Sequence, residues 1–192
     1  ILHFWTVEPL AKKKIPAVIK NTFKPKLRGT VIGPDQHLHE DVIKSVTVKK
    51  NVGALRMFGP SLGQQLGFLK LVVSTVSDAG INILSVITSQ TAVGFLMAEQ
   101  DVAKAEALVK SLDITYIDQM ECATDIAIIG VVGLGFSETI GLAGRVFSAV
   151  AKTGTNIEMI SSGASKIAQY FIVKESDVQK SVKSIHLEFF DR

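Results

Sequence analysis

Two glycine-rich loops are the strongest candidates for binding chemistry in this 192-residue chain. Gly59–Gly67 reads GPSLGQQLG and Gly133–Gly141 reads GLGFSETIG, and each lies between a predicted strand and a predicted helix. Backbone N–H groups at a helix N-terminus can hold an anion such as a carboxylate. A dinucleotide site is disfavoured, because the third glycine of a G-x-G-x-x-G motif starting at Gly133 would fall on Glu138. The loops therefore favour a small carboxylate ligand.

Two asparagines, Asn82 and Asn156, recur at the same place, where a strand begins after a helix. One interpretation is a turn residue that tolerates unusual backbone dihedral angles. The other is a side-chain amide that reaches a ligand at an interface. Repetition alone favours the turn residue, since both copies need one there, but both interpretations stay open.

The remaining reactive side chains favour neither catalysis nor metal binding. His37 and His39 stand two residues apart without a further cluster, which is more typical of a solvated linker than of a metal site. Cys122 is the only cysteine, which excludes a disulfide framework and favours a cytoplasmic protein. Because Cys122 precedes an apolar run, we predict that it is a packed residue and not a nucleophile. We predict that His186, on the last helix, lies on the surface. We expect no catalytic residue and no metal site.

Composition narrows the class of protein further. The chain is 47% hydrophobic and 20% charged, which predicts a sizeable buried core. It has no apolar run of about 18 residues that could span a membrane, so no membrane partner is expected. Residues 1–10 show no signal-peptide features. Because the chain lacks an initiator methionine, we expect a piece of a longer protein.

Basic residues concentrate in the N-terminal segment. Residues 1–34 hold seven Lys or Arg against the single acid Glu8, whereas the rest of the chain holds fourteen against seventeen acids. Nucleic-acid binding would use such a segment, but only Phe23 supplies an aromatic ring within the basic stretch 11–30. A solvated face, or a nearby phosphate-bearing small molecule, explains it equally well, and we expect no nucleic-acid partner.

An internal repeat defines the elements that must position the loops. LGFLKLVVSTVSDAGINI at 66–83 reappears as IGLAGRVFSAVAKTGTNI at 140–157, with seven of eighteen positions identical. Helix-period apolar positions and β-branched runs predict the order β-α-β-β-α-β for each copy. For the first copy we predict strands at 52–59, 82–87, 91–98 and 114–117. The helix after the first strand ends at Gly80 and buries Leu69, Val72, Val73 and Val76. The helix after the third strand is capped by Asp101 and buries Val102, Ala105, Val109 and Leu112.

The second copy has no room for a fourth strand, but a spare strand, Val42–Val48, precedes the first copy. We therefore predict that the first unit, 50–118, is inserted into the second, 42–49 plus 119–192. The fold class is α+β, with two ferredoxin-like βαββαβ units. Paired units cover each other's edges and form grooves suited to small ligands. For the second copy we predict strands at 125–133, 156–161 and 167–173. Its first helix buries Ala143, Val146, Phe147 and Val150, and its second helix buries Val178, Val182, Ile185 and Phe189.

The order of these motifs resembles that of aspartate kinases. The stretch ILHFWTVEPLAKKKIPAVIKNTFKPKLRGTVI is similar to the end of the family's catalytic domain. INILSVITSQ is similar to the first of the two ACT domains that follow it, and VGLGFSETIGLAGRVFSAV with NIEMISSGAS to the second. The resemblance covers essentially the whole chain and implies that residues 1–41 are the kinase-domain tail and a linker.

The resemblance implies a regulatory role. Family members phosphorylate the β-carboxyl of aspartate with ATP and Mg, towards lysine, threonine and methionine, and an end-product amino acid binds between their ACT domains. The family's N-terminal phosphate-binding motif is absent, so we expect this chain to transfer no phosphate and to carry no cofactor itself. The resemblance further implies that the chain regulates its own catalytic domain and forms a homodimer or larger assembly. The alternative is a free-standing ACT-type binding module, which would have no use for a kinase-like tail.

The resemblance also implies site residues. Lysine-sensitive members often carry aspartate at the position of Leu84 and glutamate at that of Gln90. Because neither residue is acidic here, a lysine ammonium has no evident partner, and we favour threonine over lysine as the effector. The implied effector contacts are Leu62, Gln65, Gly67, Phe68, Leu69, Asn82, Ile83, Leu84, Thr88, Ser89 and Gln90; their second-unit counterparts are Gly141, Leu142, Asn156 and Ile157; and Lys20, Asn21 and Thr22 match a motif near the nucleotide.

Overall fold

The computed structural model describes residues 3–33, 42–136 and 138–190. The chain divides into two compact parts, Ile1–Glu40 and Asp41–Arg192. His37 and His39, predicted to belong to a solvated linker, lie outside the described residues. In the first part, helix α1 (Phe4–Lys12) is followed by strands β1 (Ala17–Ile19) and β2 (Thr30–Ile32), which pair antiparallel.

The second part contains one sheet and four helices in its described residues. The strand order is β4-β5-β3-β6-β8-β7, and every neighbouring pair is antiparallel. This arrangement confirms the α+β class and the two ferredoxin-like units, the first inserted into the second. The elements are β3 (Ile43–Phe58), α2 (Phe68–Asp78), β4 (Ile83–Thr88), β5 (Ala92–Ala98), α3 (Val102–Lys110), β6 (Gln119–Gly133), α4 (Leu142–Ala151), β7 (Met159–Ser161), β8 (Ala168–Lys174) and α5 (Val178–Phe189).

Strands β3 and β6 each serve both units. Near its start β3 pairs Val46 with Val131, and near its end it pairs Leu55 with Cys122. The strands predicted at 42–48 and 52–59 are therefore one continuous strand. The ladder is irregular between Lys49 and Val52, where Asn51 has a φ of 55°. This irregularity lets the strand pass from the sheet of one unit into that of the other.

The strand predicted at 114–117 is wrong. Those residues form a turn, in which the Ile117 N–H donates to the Ile114 carbonyl, and the fourth strand of the first unit begins only at Gln119. Ile114, Tyr116 and Ile117 pack against the first core without pairing in a ladder. An apolar run that is buried in a turn has the same composition as a strand, so the pattern alone did not separate them.

Two cores lie between the sheet and the helices. The first is built around Phe95 and the second around Phe171, both fully buried. On α2 the buried face runs through Phe68, Val72 and Val76, whereas Leu69, predicted to be buried, is 41% exposed.

Three further predicted details differ from the structure. Asp101 precedes α3 as predicted, but its side chain makes no capping hydrogen bond, because a 3-10 turn at Glu99–Asp101 leads directly into the helix. That helix ends at Lys110, so Leu112, predicted on its buried face, lies beyond it in a turn. The strand predicted at 156–161 is confined to Met159–Ser161.

A third core joins the two units. The sheet folds back on itself, so that Leu96 of the first unit and Ile172 of the second lie in one buried cluster with Val52. The outermost strands approach each other there, with the Ser85 and Ser161 hydroxyl oxygens 3.4 Å apart. The units therefore cover each other's sheet faces, whereas the sequence had led us to expect them to cover edges.

Candidate functional site

The N-terminus of α2 presents unsatisfied hydrogen-bond donors. Gly67 precedes the helix with a φ of 81°, and the Phe68 N–H donates to the Gln65 carbonyl. The next turn closes from the Leu71 N–H to the Gly67 carbonyl at 2.9 Å. The N–H groups of Leu69 and Lys70, which lie between these two bonds, have no acceptor among the described residues. Together with the helix dipole, they form a site suited to a carboxylate.

The loop before α2 is held against the turn between β4 and β5. The Gly63 N–H donates to the Gln90 carbonyl at 2.9 Å, and the Gly59 N–H donates to the Thr91 carbonyl at 3.0 Å. A side chain at position 63 would collide with the Ser89 carbonyl oxygen, so only glycine permits this approach. The structure thus brings the predicted residue Gln65 and the predicted turn Thr88–Gln90 to the same end of the first unit.

The other predicted contacts lie elsewhere. Leu62 and Phe68 are buried in the first core and support the loop from beneath. Leu84 faces the opposite side of the sheet and packs against the cluster that joins the two units. Asn82 and Ile83 lie at the other end of β4, about 20 Å along the strand from the turn at Thr88–Gln90. One chain therefore does not gather all the predicted effector contacts into one pocket.

Neither asparagine adopts a turn conformation that would explain its recurrence. Asn82 and Asn156 are both exposed. Positive φ angles at non-glycine residues in the described part of the chain occur only at Lys14, Asn51, Asp113 and Asp125. The interpretation as turn residues with unusual dihedral angles is thus unsupported, and the amides remain accessible to a ligand.

With this geometry in hand, we compared the chain with known proteins. Residues 129–189 match the model of the ACT domain family. Aspartokinase 1, chloroplastic, of Arabidopsis thaliana is 28% identical over 197 residues, covering 100% of this chain and 34% of that protein. A crystal structure of Clostridium acetobutylicum aspartate kinase, described as an allosteric enzyme, superposes with a TM-score of 0.88 at 28% identity, covering 98% of this chain and 45% of that one. The whole chain is therefore similar to part of the aspartate kinases.

The chain is similar to the C-terminal regulatory region of these kinases and spans about a third of the length of the plant relative. A structure of E. coli aspartokinase III in complex with lysine and aspartate has the same fold, with a TM-score of 0.77 at 21% identity, covering 99% of this chain and 42% of that one. The alignment over the full length includes the N-terminal segment that resembles the end of a kinase domain.

The second unit of this regulatory region repeats the helix N-terminus. Gly141 has a φ of 78° before α4, and the Arg145 N–H donates to the Gly141 carbonyl at 3.0 Å. Leu142 is buried and Ile157 packs against the second core, so of the four predicted counterparts only Gly141 and Asn156 are exposed.

Two exposed apolar residues were missed by the sequence analysis. Leu66 and Ile140 stand directly before the capping glycines and are completely exposed, at 101% and 100%. Both residues occupy the same position in the two copies of the repeat, which could have marked them as a matched exposed pair. A reading based on apolar periodicity instead assigns such residues to a core. The strand β4 was predicted, but its place at the sheet edge was not: it pairs with β5 and with no other described strand, and Val86 on it is 41% exposed. The first unit thus has an unpaired apolar edge.

Cys122 is exposed, which contradicts the prediction of a packed residue. It lies on β6 beside α3, where the core does not cover it. Partial burial raises the pKa of the Cys122 thiol, and the nearby Glu106 carboxylate raises it further. A thiol that stays protonated is a poor nucleophile, and the absence of a catalytic cysteine stays a prediction.

Replacing Glu106 with glutamine is expected to speed alkylation of Cys122 by iodoacetamide about two- to tenfold near pH 8, because less carboxylate charge opposes thiolate formation. The rate is measured against pH by mass spectrometry, with Glu121→Gln as the control on the same strand. An unchanged rate and pH midpoint in Glu106→Gln would contradict this assignment.

The residues predicted near a nucleotide lie in the first compact part. The Lys20 ammonium donates to the Pro25 carbonyl at 3.3 Å, and the Asn21 side chain accepts from the Phe23 N–H at 2.9 Å. Thr22 is exposed in the same turn. These bonds shape a surface turn, and the role near a nucleotide stays a prediction.

Neither a cluster of metal ligands nor a membrane-spanning helix occurs among the described residues. Among the described residues no three His, Cys, Asp or Glu side chains cluster as metal ligands. None of the helices in the described part is long and apolar enough to cross a bilayer.

Proposed function

We propose that this chain is the amino-acid-sensing part of an aspartate kinase, which would phosphorylate aspartate with ATP and Mg and be inhibited by an end-product amino acid. The observation that carries the proposal is the pair of unsatisfied N–H groups of Leu69 and Lys70 at the N-terminus of α2. A free α-carboxylate matches these donors in charge and geometry. The similarity to aspartate kinases over the whole of this chain supports the choice of the parent enzyme.

A second copy of the chain would complete the site. The outer edge of β4 is unpaired among the described strands, and an antiparallel pairing of two such edges is the simplest closed assembly. A two-fold axis near Val86 would set it against the partner subunit's Val86. The same pairing would bring Asn82 opposite the partner subunit's Gln90. The predicted contacts that lie apart in one chain would then meet across the two-fold axis, and the site would form only in a dimer.

The surroundings of this composite site favour a neutral effector. The two segments that supply its contacts, residues 59–69 and 82–92, contain no charged side chain. A lysine ammonium would lose its hydration there without a carboxylate partner, whereas a threonine hydroxyl can bond to Ser89 or Gln90. E. coli aspartokinase III binds lysine, which makes lysine the proper competitor. We propose threonine as the effector.

Calorimetric titration of the chain with threonine and with lysine tests this proposal. Threonine is expected to bind at least about tenfold more tightly, because lysine leaves its ammonium unpaired. Lysine binding without threonine binding would refute the choice of effector, and binding of neither would refute the sensing function of the chain.

Replacing Asn82 with alanine is expected to weaken effector binding by about 1–3 kcal/mol, because a buried polar group of the ligand loses its partner. Asn156→Ala is the matched control, since it removes the same amide from the second unit. Binding is measured by calorimetry. Equal losses in the two variants would contradict the placement of the site in the first unit.

A further inference from the structure

A cavity of about 660 Å³ lies between the two units, on the face of the sheet turned away from the helices. It is separate from the candidate effector site, which lies at the N-terminus of α2 on the other face. Its volume falls within the range of small-molecule pockets, about 300–1,000 Å³. Its walls come from both units, with Leu84, Ser85 and Leu96 from the first and Ile128, Ser161, Tyr170 and Ile172 among those from the second.

Two backbone features open this cavity. The ladder between β4 and β5 is irregular between Ile83 and Ser85, so Leu84 and Ser85 both turn towards the gap between the units. On the opposite wall Gly130 has no side chain. A Cβ atom there would press against the Thr47 hydroxyl at 2.7 Å and the Tyr170 ring at 2.8 Å. The missing side chain lets the Tyr170 ring lie across β6 and form a wall.

The lining separates into an apolar floor and a polar rim. Leu84 and Ile128 are half-buried and offer hydrocarbon to the cavity, and the fully buried Leu96 and Ile172 support them from beneath. The rim carries the Ser85 and Ser161 hydroxyls, which lie 3.4 Å apart. The phenol of Tyr170, 40% exposed, adds a further donor.

Lys49 gives the cavity its charge. Of the described residues that line the cavity it is the only charged one, and none of them is a carboxylate. Its ammonium has no ion-pair partner in the described part of the chain. An apolar floor with hydroxyl donors and one cation at the rim is complementary to a small molecule with an apolar body and an anionic head.

We propose that the cavity between the two units binds a small amphipathic carboxylate, with its apolar body on Leu84 and Ile128 and its carboxylate at Lys49. Such a ligand touches both units at once. It would therefore stabilise their mutual arrangement, because anything that binds only the folded pair shifts the equilibrium towards it.

Phenylacetate, with phenylacetamide as its neutral analogue, tests the proposal by calorimetry on the full 192-residue chain. We expect phenylacetate to bind at least about threefold more tightly than the amide. Lys49→Gln should abolish that difference, since the cation is what distinguishes the two probes. Equal binding of both probes to the unmodified chain, or no binding of phenylacetate, would overturn the proposal.

Ala164→Trp places an indole at the exposed rim of the cavity and should weaken phenylacetate binding at least about tenfold. Ala103→Trp on the exposed side of α3 is the matched control and should leave binding unchanged. Thermal unfolding of both variants establishes that they are folded, and Ser161→Val, which removes a rim hydroxyl, provides a milder variant with a smaller expected loss. Undiminished binding in Ala164→Trp and Ser161→Val would overturn the assignment.

Competition with threonine separates this cavity from the proposed effector site. Saturating threonine should leave phenylacetate bound, because the two sites lie on opposite faces of the sheet. Displacement by threonine would place the probe in the effector site and overturn the proposal. If threonine does not bind at all, the proposed sensing function fails while the phenylacetate result still decides the cavity.

Discussion

Replacing Val86 with glutamate is expected to raise the dissociation constant of the homodimer about a hundredfold. Val86 lies in the middle of β4, is 41% exposed and belongs to an edge with no partner strand among the described residues. In the proposed antiparallel pairing it faces the partner subunit's Val86, so the variant sets two carboxylates directly opposite each other. Like charges in that position repel and lose hydration together.

The same variant is expected to weaken threonine binding at least about tenfold, because half of the composite site comes from the second copy. Light scattering across a concentration series measures the dimer, and calorimetry measures the effector. Val86→Thr is the matched control, since threonine keeps the β-branched shape without a charge and should preserve both. A Val86→Glu protein that remains dimeric would show that the subunits meet elsewhere.

Replacing Phe171 with alanine is expected to lower the free energy of unfolding by about 3–5 kcal/mol. Phe171 is completely buried in the second core and meets the Phe147 ring edge to face, with centroids 5.7 Å apart. Removing the ring leaves a cavity that the surrounding strands cannot fill by moving. Such a loss is a large part of the roughly 5–15 kcal/mol that stabilises a typical domain.

Urea unfolding followed by circular dichroism checks this value, with Phe23→Ala, a 95% exposed ring, as the control for phenylalanine loss. Phe95→Ala makes the equivalent change in the first core and should unfold in the same single transition. The reason is that β3 and β6 run through both units, so neither unit keeps its sheet when the other is lost. Separate transitions for the two units would contradict this coupling.

Much of the fold was predictable because local patterns carried it. Gly80 and Gly154 follow helices with φ angles of 79° and 70°, as the predicted helix ends require. The missing fourth strand of the second unit could be counted from the sequence, and Val46 pairs with Val131 accordingly. The apolar turn at 114–117 could not be predicted, because burial in a turn and burial in a strand select the same residues.

The candidate site was only partly predictable. The loop and turn that meet through Gly63 and Gln90 were both identified, and their hydrogen bonds confirm that they are adjacent. Leu84 was assigned to the same pocket because the resemblance to aspartate kinases implied it. A strand sends neighbouring side chains to opposite faces, and the irregular ladder after Ile83 alters that alternation, which no residue pattern reveals.

The sequence by itself determined the repeat, the two helix N-termini that follow glycines, and the resemblance to aspartate kinases, because each depends on residues close together in the chain. Only the tertiary structure decided that the two units cover each other's sheet faces. It also decided that a cavity remains between the units. These features depend on how β3 and β6 bend between the two units, and that bend is set by contacts such as Leu96 with Ile172 between residues far apart in the chain.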